Sequence, residues 1–224
     1  MTGSTARPLR IILLGPPASG KGTQGRRLAA AHGLAYLSTG ALLREQVENG
    51  TTLGKLAEPI LARGEYLPDE LMCQHIGDWL SRQTGGWVLD GFPRSEPQAR
   101  FLDVWLAERG LKLDAAISLE APFDDLLARM RGRLECPDCQ WSGQIGQTVG
   151  DRQCPECAAV VEPRPDDSEE NFTNRYQEFL RLTRPLIDYY QERGLLCPCD
   201  ASAPRDAVTA QLLSRCIPPP GSLH

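Results

Sequence analysis

A glycine-rich run with a single lysine is the clearest chemical signal in the sequence. The run, Gly15-Pro-Pro-Ala-Ser-Gly-Lys-Gly-Thr23, follows an apolar segment at 9–14 and precedes a helical pattern at 21–32. Its glycines let backbone N–H groups turn towards phosphate oxygens, with a helix N-terminus behind them. Lys21 is one of three lysines beside 21 arginines, which favours a point-charge role that a guanidinium fills poorly. The run therefore predicts a phosphate-binding loop.

Four cysteines in two Cys-x-x-Cys pairs form the second signal: Cys136, Cys139, Cys154 and Cys157. They lie in segment 135–167, which shows no sustained helical or strand periodicity. The segment is too short to build its own hydrophobic core without a cross-link such as a metal ion. Two such turns complete a tetrahedral zinc shell with no open position, so the metal is expected to be structural. A pair of disulfides or free thiols is the alternative. Buried apolar filler is the expectation for Cys73, Cys197, Cys199 and Cys216.

Acidic and hydroxyl side chains follow two of the predicted strands. Ser38 and Thr39 can cap a helix that carries Arg44 one turn later; the alternative is an ordinary cap with a solvated arginine. Asp90 ends a buried strand beside the glycine-rich loop, where a carboxylate is placed to hold a hydrated Mg²⁺. A simple turn is the alternative for Asp90.

Arginines bracket the cysteine segment on both sides. Arg129 and Arg133 share one helix face before it, and Arg164 and Arg175 follow it. Like charges at i, i+4 spacing repel unless they are solvated or share an anion. If the segment folds over the glycine-rich loop, these arginines would converge on a transferred phosphate.

Strand-like and helical patterns alternate along the chain, which predicts an α/β fold with a parallel five-stranded sheet flanked by helices. The predicted strands are 9–14, 35–37, 86–89, 113–119 and 195–199. The predicted helices are 21–32, 41–49, 53–63, 69–82, 96–109, 123–133 and 169–193. Ligands of such sheets bind at the carboxyl ends of the strands, where the glycine-rich loop and Asp90 both fall.

Composition excludes several classes of protein. The chain has 224 residues, is 41% hydrophobic and carries a net charge of −5 with a pI near 5.3. This balance argues against nucleic-acid binding, and no apolar run of about 18 residues could span a membrane. The polar start 1–8 has no signal core, which predicts a cytoplasmic protein. The three histidines are assigned no catalysis, and the tail 217–224 is expected to be disordered.

Taken in order, these motifs resemble the adenylate kinase family of nucleoside monophosphate kinases, in the form whose lid carries a structural zinc. The resemblance covers roughly 9–213. The motifs that carry it are 15–24, 38–44, 64–71, 89–98, Arg129 with Arg133, Arg164 with Asp166 and Asp167, and 183–190. It implies a P-loop core at 1–37, 68–132 and 168–224, a helical nucleoside monophosphate (NMP) binding insert at 38–67, and a zinc lid at 133–167.

The family implies the reaction ATP + AMP = 2 ADP with Mg²⁺, performed by a monomer. ATP would contact Ala18, Ser19, Gly20, Lys21, Gly22, Thr23, Arg129, Arg133 and Ala203. AMP would contact Thr39, Arg44, Glu65, Tyr66, Leu67, Gly91, Phe92, Pro93, Arg94, Gln98, Arg164 and Arg175. Catalytic roles fall to Lys21, Arg94, Arg133, Arg164, Arg175, Asp90, Asp166 and Asp167. Thr39 and Gln98 would read adenine.

Three departures from the family pattern leave a slower or altered enzyme open. Ala18 stands where the family favours Gly, and positive φ there would cost on the order of 1 kcal/mol. Ala41 stands where Asp is usual. Gly22 moves the loop hydroxyl to Thr23, which favours water-mediated Mg²⁺ contacts through Asp90. The competing functions are a UMP or CMP kinase, a non-catalytic nucleotide switch and a zinc-ribbon nucleic-acid binder. The acidic residues around the two Cys-x-x-Cys pairs argue against the nucleic-acid binder.

Overall fold

A parallel five-stranded sheet forms the centre of the computed structural model, which describes residues 8–216. Its strands are β1 (Arg10–Leu14), β2 (Ala35–Ser38), β3 (Trp87–Asp90), β4 (Ala115–Glu120) and β7 (Leu196–Asp200), in the order β2-β3-β1-β4-β7. All four pairings are parallel. The predicted fold class is confirmed. The predicted tail and most of the polar start lie outside the described residues.

Helices cover both faces of this sheet. They are α1 (Lys21–His32), α2 (Thr39–Glu48), α3 (Thr52–Ala62), α4 (Asp69–Ser81), α5 (Glu96–Ala107), α6 (Phe123–Arg131), α7 (Glu169–Glu178), α8 (Pro185–Gln191) and α9 (Arg205–Arg215). Alternate residues of β1 divide the core, because side chains of a strand point to opposite faces. Ile12 and Leu14 pack on one face, and Ile11 and Leu13 on the other.

The single helix predicted for 169–193 is divided. A π-helical turn at Phe179–Thr183 joins α7 to α8, and the Arg184 N–H donates to the Phe179 carbonyl at 2.8 Å. Pro185 has no N–H to continue the ladder, so the register changes before it. Cys216 was expected in a helix, but no bounds were predicted for α9, because only Val208 and Leu212 mark its buried face.

A small second sheet lies inside the predicted cysteine segment. Its antiparallel strands are β5 (Arg133–Glu135) and β6 (Ser142–Gln144). Leu134, Trp141 and Val161 pack with cysteines in a cluster separate from the main core. The segment thus has only a miniature apolar core, as its length predicts.

The expectation of apolar filler was wrong for two cysteines. Cys197 and Cys216 form a disulfide, with their Cα atoms 5.7 Å apart. Cys197 lies on β7 and Cys216 at the end of α9, as expected for a strand and a helix, but the pairing depends on how these two elements pack together. Cys199 is buried, whereas Cys73 is partly exposed. Within residues 8–216, none of the helices has the length and hydrophobicity that a membrane span requires.

Candidate active site

The glycine-rich loop joins β1 to α1 and is shaped by glycines that other residues could not replace. Gly15 has φ 141°, and a Cβ there would lie 2.5 Å from the Leu119 carbonyl oxygen. Gly20, with φ 91°, caps α1. The Lys21 Nζ donates to the carbonyls of Gly15 and Pro16, each at 2.7 Å. The lysine is therefore held by the backbone of its own loop.

Ala18 adopts φ 62° in this loop. The left-handed region costs a residue with a Cβ roughly 1 kcal/mol relative to glycine. The positive φ expected for this position is confirmed. Ala18 is thus a residue with a Cβ at positive φ, in a loop whose other positive-φ positions, Gly15 and Gly20, are glycines.

Burial lowers the pKa of Lys21 to about 7, with Asp90 opposing the shift and the cluster of Arg94, Arg175 and Arg133 adding to it. A lysine taken out of water loses the solvation of its charged form. The Asp90 Oδ2 accepts a hydrogen bond from the Tyr36 hydroxyl at 2.9 Å. The carboxylate thus lies beside the loop and is oriented by a neighbouring strand.

Two clefts open at the carboxyl ends of the strands. The first, about 460 Å³, lies between the loop, the base of the cysteine segment and residues 201–205. The second, about 410 Å³, lies between α2, α3 and residues 64–67. Arg44, Arg94 and Arg175 line both. The clefts therefore meet at a wall of guanidinium groups, which is the environment that two juxtaposed phosphate-bearing ligands need.

Carboxylates hold the arginines that flank the cysteine segment. Both oxygens of Asp167 accept hydrogen bonds from Arg133, Oδ2 from its Nε at 2.6 Å. The Arg175 Nη1 donates to Asp166 at 3.1 Å. Burial opposes ionisation of Asp166, but the surrounding arginines outweigh it and lower the pKa of this carboxyl. Burial also lowers the pKa of Arg175, to about 10.

The four predicted metal ligands come together within the cysteine segment. All four Sγ atoms lie within 4.8 Å of one another, with Cys136 and Cys157 3.4 Å apart and Cys139 and Cys154 3.5 Å apart. A tetrahedral shell with Zn–S of about 2.3 Å requires S···S of about 3.8 Å. The Glu156 N–H donates to the Cys154 Sγ at 3.4 Å. This donor set fits zinc.

Comparison with known proteins decides the family. The adenylate kinase family model matches residues 13–195. The adenylate kinase of Finegoldia magna is 39% identical over 210 residues, covering 92% of this chain and 98% of its own. That of Methanothrix thermoacetophila is 41% identical over 192 residues, covering 84% and 89%, and that of Streptomyces coelicolor is 39% identical over 210, covering 92% and 97%. The chain belongs to the adenylate kinase family.

Membership of the adenylate kinase family confirms the resemblance and makes the protein an enzyme. The predicted site residues that line only the first cleft are Ala18, Ser19, Gly20, Lys21, Gly22, Thr23, Asp90, Pro93, Arg129, Arg133, Arg164 and Ala203. Those that line only the second are Thr39, Glu65, Leu67, Gln98 and Asp166. Those that line both are Arg44, Tyr66, Gly91, Arg94 and Arg175.

Two predicted residues lie outside both clefts. The Phe92 side chain is fully buried in the core, so it contributes packing rather than a contact surface. Asp167 faces Arg133 in a buried pair. Asp167 therefore acts on the cleft through the arginine it holds.

The two residues predicted to read adenine are already hydrogen-bonded. The Gln98 Oε1 accepts from the Arg94 N–H at 2.8 Å, and its Nε2 donates to Asp69 at 2.7 Å. The Thr39 hydroxyl donates to the Gly91 carbonyl at 3.0 Å. Both side chains line the second cleft from fixed positions, so an adenine read by Gln98 has to share or replace the Asp69 contact.

Sequence reasoning missed three residues in this site of the adenylate kinase fold. Tyr36 orients Asp90, as described above. The Thr183 hydroxyl donates to the Arg94 carbonyl at 2.8 Å from the π-helical turn. Glu135 lines the first cleft and directly precedes a cysteine, which drew attention to the metal instead. For Tyr36, the available signal was a polar residue in a predicted strand that leads into the Ser38-Thr39 motif.

Proposed function

We propose that the protein transfers the terminal phosphoryl group of ATP to AMP, with ATP in the first cleft and AMP in the second. The observation that carries this proposal is the wall shared by the two clefts, where Arg44, Arg94 and Arg175 line both. A phosphoryl group passing between two nucleotides has to cross such a junction. The charge on its equatorial oxygens is stabilised by preorganised cations, so no general base is required.

On the donor side, the loop residues 18–23 wrap the ATP phosphates. Lys21 leaves its carbonyl partners for the phosphates and follows the transferred group. Arg129, whose Nη2 donates to the Ala201 carbonyl at 2.7 Å, holds the segment that ends at Ala203, where the adenine of ATP binds. Arg133 approaches the phosphates from the base of the lid.

On the acceptor side, Arg44 and Arg94 bind the AMP phosphate, joined by Arg164 and Arg175 as transfer proceeds. The Arg94 guanidinium lies 4.5 Å from the centre of the Tyr66 ring and donates from Nε to the Gly91 carbonyl at 2.7 Å. These contacts fix its direction before AMP arrives. Glu65, Leu67, Thr39 and Gln98 form the adenine pocket.

Two metal ions fit this scheme. Asp90, beside the loop, would hold Mg²⁺ through water, and the ion would neutralise phosphate charge during transfer. Zinc on the four cysteines would keep the lid a rigid body.

The domain assignment follows from these roles. Residues 38–67 form the AMP-binding segment, 133–167 form a lid, and the rest is core. Closure of the lid excludes water, which would otherwise accept the phosphoryl group. We expect a monomer in light scattering and a cytoplasmic location in cell fractionation.

A coupled assay with ATP, Mg²⁺ and each nucleoside monophosphate in turn tests the acceptor. We expect turnover with AMP far above that with UMP or CMP. Activity confined to UMP or CMP would overturn the adenine assignment. Absence of activity with every acceptor, with ATP still bound, would favour the nucleotide switch.

Arg94→Ala tests the division between the two clefts. We expect kcat to fall about 10²-fold or more, while the Kd for ATP stays within about twofold of the wild type. Arg100→Ala is the matched control: Arg100 lies on the exposed face of α5, the helix that begins two residues after Arg94, where it pairs with Glu96. It should leave both unchanged. Collapse of ATP affinity in Arg94→Ala would mean that this arginine belongs to the donor side.

A further inference from the structure

Glu135 lines the first cleft and contacts Arg44 and Arg164, two of the arginines assigned to the AMP phosphate. It ends β5, directly before the zinc ligand Cys136, and its backbone exchanges hydrogen bonds with Glu162 at 2.8 and 3.0 Å. The Cys136 N–H, next in the chain, donates to the Trp141 carbonyl at 2.8 Å. The position of the Glu135 backbone is therefore fixed by the small sheet and by the turn that carries Cys136 and Cys139.

The carboxylate of Glu135 faces two arginines from different segments. The Arg164 Nη2 donates to its Oε1 at 2.7 Å, and the Arg164 Nε lies 2.6 Å from Oε2. The Arg44 Nη2 lies 3.7 Å from the same Oε2. The side chains of Glu135, Arg164 and Arg44 are only 18%, 14% and 23% exposed. Water therefore screens this group of charges poorly.

An anion between these guanidiniums is a physical requirement. Two arginines brought together with little solvent repel each other, and burial together with Arg164 lowers the pKa of Arg44. A carboxylate relieves the repulsion in the empty site. A phosphate dianion would relieve it more strongly, because it carries more charge and three acceptor oxygens.

We propose that Glu135 is a positioning residue that holds Arg44 and Arg164 in the empty enzyme and competes with the AMP phosphate for them. The proposal rests on the assignment of both arginines to AMP in the proposed function. With both carboxylate oxygens of Glu135 facing one edge of Arg164, AMP has to displace Glu135 to use that edge. AMP affinity is thus set by a competition inside the protein, and the carboxylate links the lid to α2 while the site is empty.

Glu135→Gln tests the competition because it keeps the size of the side chain and removes its charge. We expect the Kd for AMP, measured by calorimetry on the zinc-loaded full-length protein, to fall about fivefold, a change typical of a partly buried ion pair. The Kd for ATP should stay within about twofold. In steady-state kinetics, the KM for AMP should fall with little change in kcat. A merely structural role would not separate the two nucleotides in this way.

Glu162→Gln is the matched control. Glu162 pairs with Glu135 through the backbone and its side chain is exposed, so the same change of charge should leave both affinities unchanged. Zinc content and thermal midpoint should match the wild type in both variants. If Glu135→Gln loses zinc, Glu135→Ala provides the second test. The Kd for AMP of whichever variant retains zinc then shows whether Glu135 competes with AMP.

Arg44→Ala separates the failure of this proposal from failure of the function on which it rests. If Arg44→Ala weakens AMP about tenfold or more while Glu135→Gln leaves the AMP Kd unchanged or raises it, competition by Glu135 is wrong and the acceptor site stands. If Arg44→Ala leaves AMP affinity unchanged, the acceptor assignment itself is wrong. If the acceptor assignment and the competition are both correct, Glu135→Gln should lower the Kd for AMP less in the Arg44→Ala background than in the wild type. One of the two arginines for which Glu135 and AMP compete is then missing.

Discussion

The loop side and the arginine side of the active site hold their charges in different ways. Lys21 is held by carbonyls of its own loop, five and six residues earlier in the chain. Arg133, by contrast, is held by Asp167, 34 residues later. Arg164 is held by Glu135, 29 residues earlier. The phosphate loop is therefore held by local contacts, whereas the arginines that flank the cysteine segment depend on the folding of that separate small segment.

This difference predicts different vulnerabilities. A loop whose backbone forms the site should keep its ligand geometry when the lid is damaged. Arginines whose partners lie in the lid should lose their directions. The following changes test that contrast, in order of expected effect.

Lys21→Met should have the largest effect. It removes the mobile charge and leaves the loop glycines in place, so we expect kcat to fall about 10²- to 10³-fold with the fold intact. The measurement is the coupled assay together with a thermal melt. Lys21→Arg, the matched control, keeps a positive charge but not its compact shape, and should recover only part of the loss. A decrease below about tenfold in Lys21→Met would contradict the role of the lysine in transfer.

Cys136→Ser should damage the arginine side selectively. Loss of one thiolate should remove zinc, and turnover should fall about tenfold or more because the segments carrying Glu135 and Asp167 lose their rigid frame. We expect kcat to fall further than ATP affinity, measured by calorimetry, because the phosphate loop keeps its own contacts. Cys73→Ser, outside the lid, should retain one zinc per chain by metal analysis. Wild-type protein purified under reducing conditions without any zinc would overturn the metal assignment.

The pH dependence of binding should also differ between the two sides. The pKa of Lys21 is lowered to about 7 in the empty enzyme, and bound phosphates should raise it. Below pH 7 the lysine is charged with or without ATP, so this group adds no pH dependence. Above pH 7, ATP binding has to take up a proton, and affinity should fall by up to about tenfold per pH unit.

Calorimetry between pH 7.5 and 9 checks this expectation, in buffers of different ionisation enthalpy to count the protons. The titration of the phosphates themselves lies near pH 6 and is complete in this range. AMP should bind without comparable proton uptake, because the pKa of Arg175 stays near 10. Equal pH dependence of the Kd values for ATP and AMP would contradict the expected difference between the two sides of the site.

Ala18→Gly should have the smallest effect. Because Ala18 sits at φ 62°, glycine should raise the free energy of unfolding, by at most about 1 kcal/mol. Ala30→Gly makes the same chemical change at an exposed position inside α1 and should lower stability by about as much. Denaturant unfolding of the two variants measures both signs. A destabilised Ala18→Gly would mean that packing of the methyl group outweighs the backbone.

Periodicity predicted the elements that carry the loop with little error. The helix after the loop was predicted at 21–32 and is found at Lys21–His32, and all five strands of the main sheet were located to within two residues at either end. Such elements can be located from the sequence because their apolar spacing and glycine positions are set by residues close together in the chain. The small strands of the lid and the bounds of α9 were missed, because short or weakly apolar elements leave no such pattern.

By itself, the sequence determined the phosphate loop, the parallel sheet and the four thiolates, since each follows from residue types at fixed short spacing. Only the tertiary structure decided which carboxylate holds which arginine, that Tyr36 orients Asp90, and that Cys197 reaches Cys216. These contacts join residues between 9 and 54 positions apart. Spacing along a chain carries no information about such pairs, because the packing of whole elements brings them together.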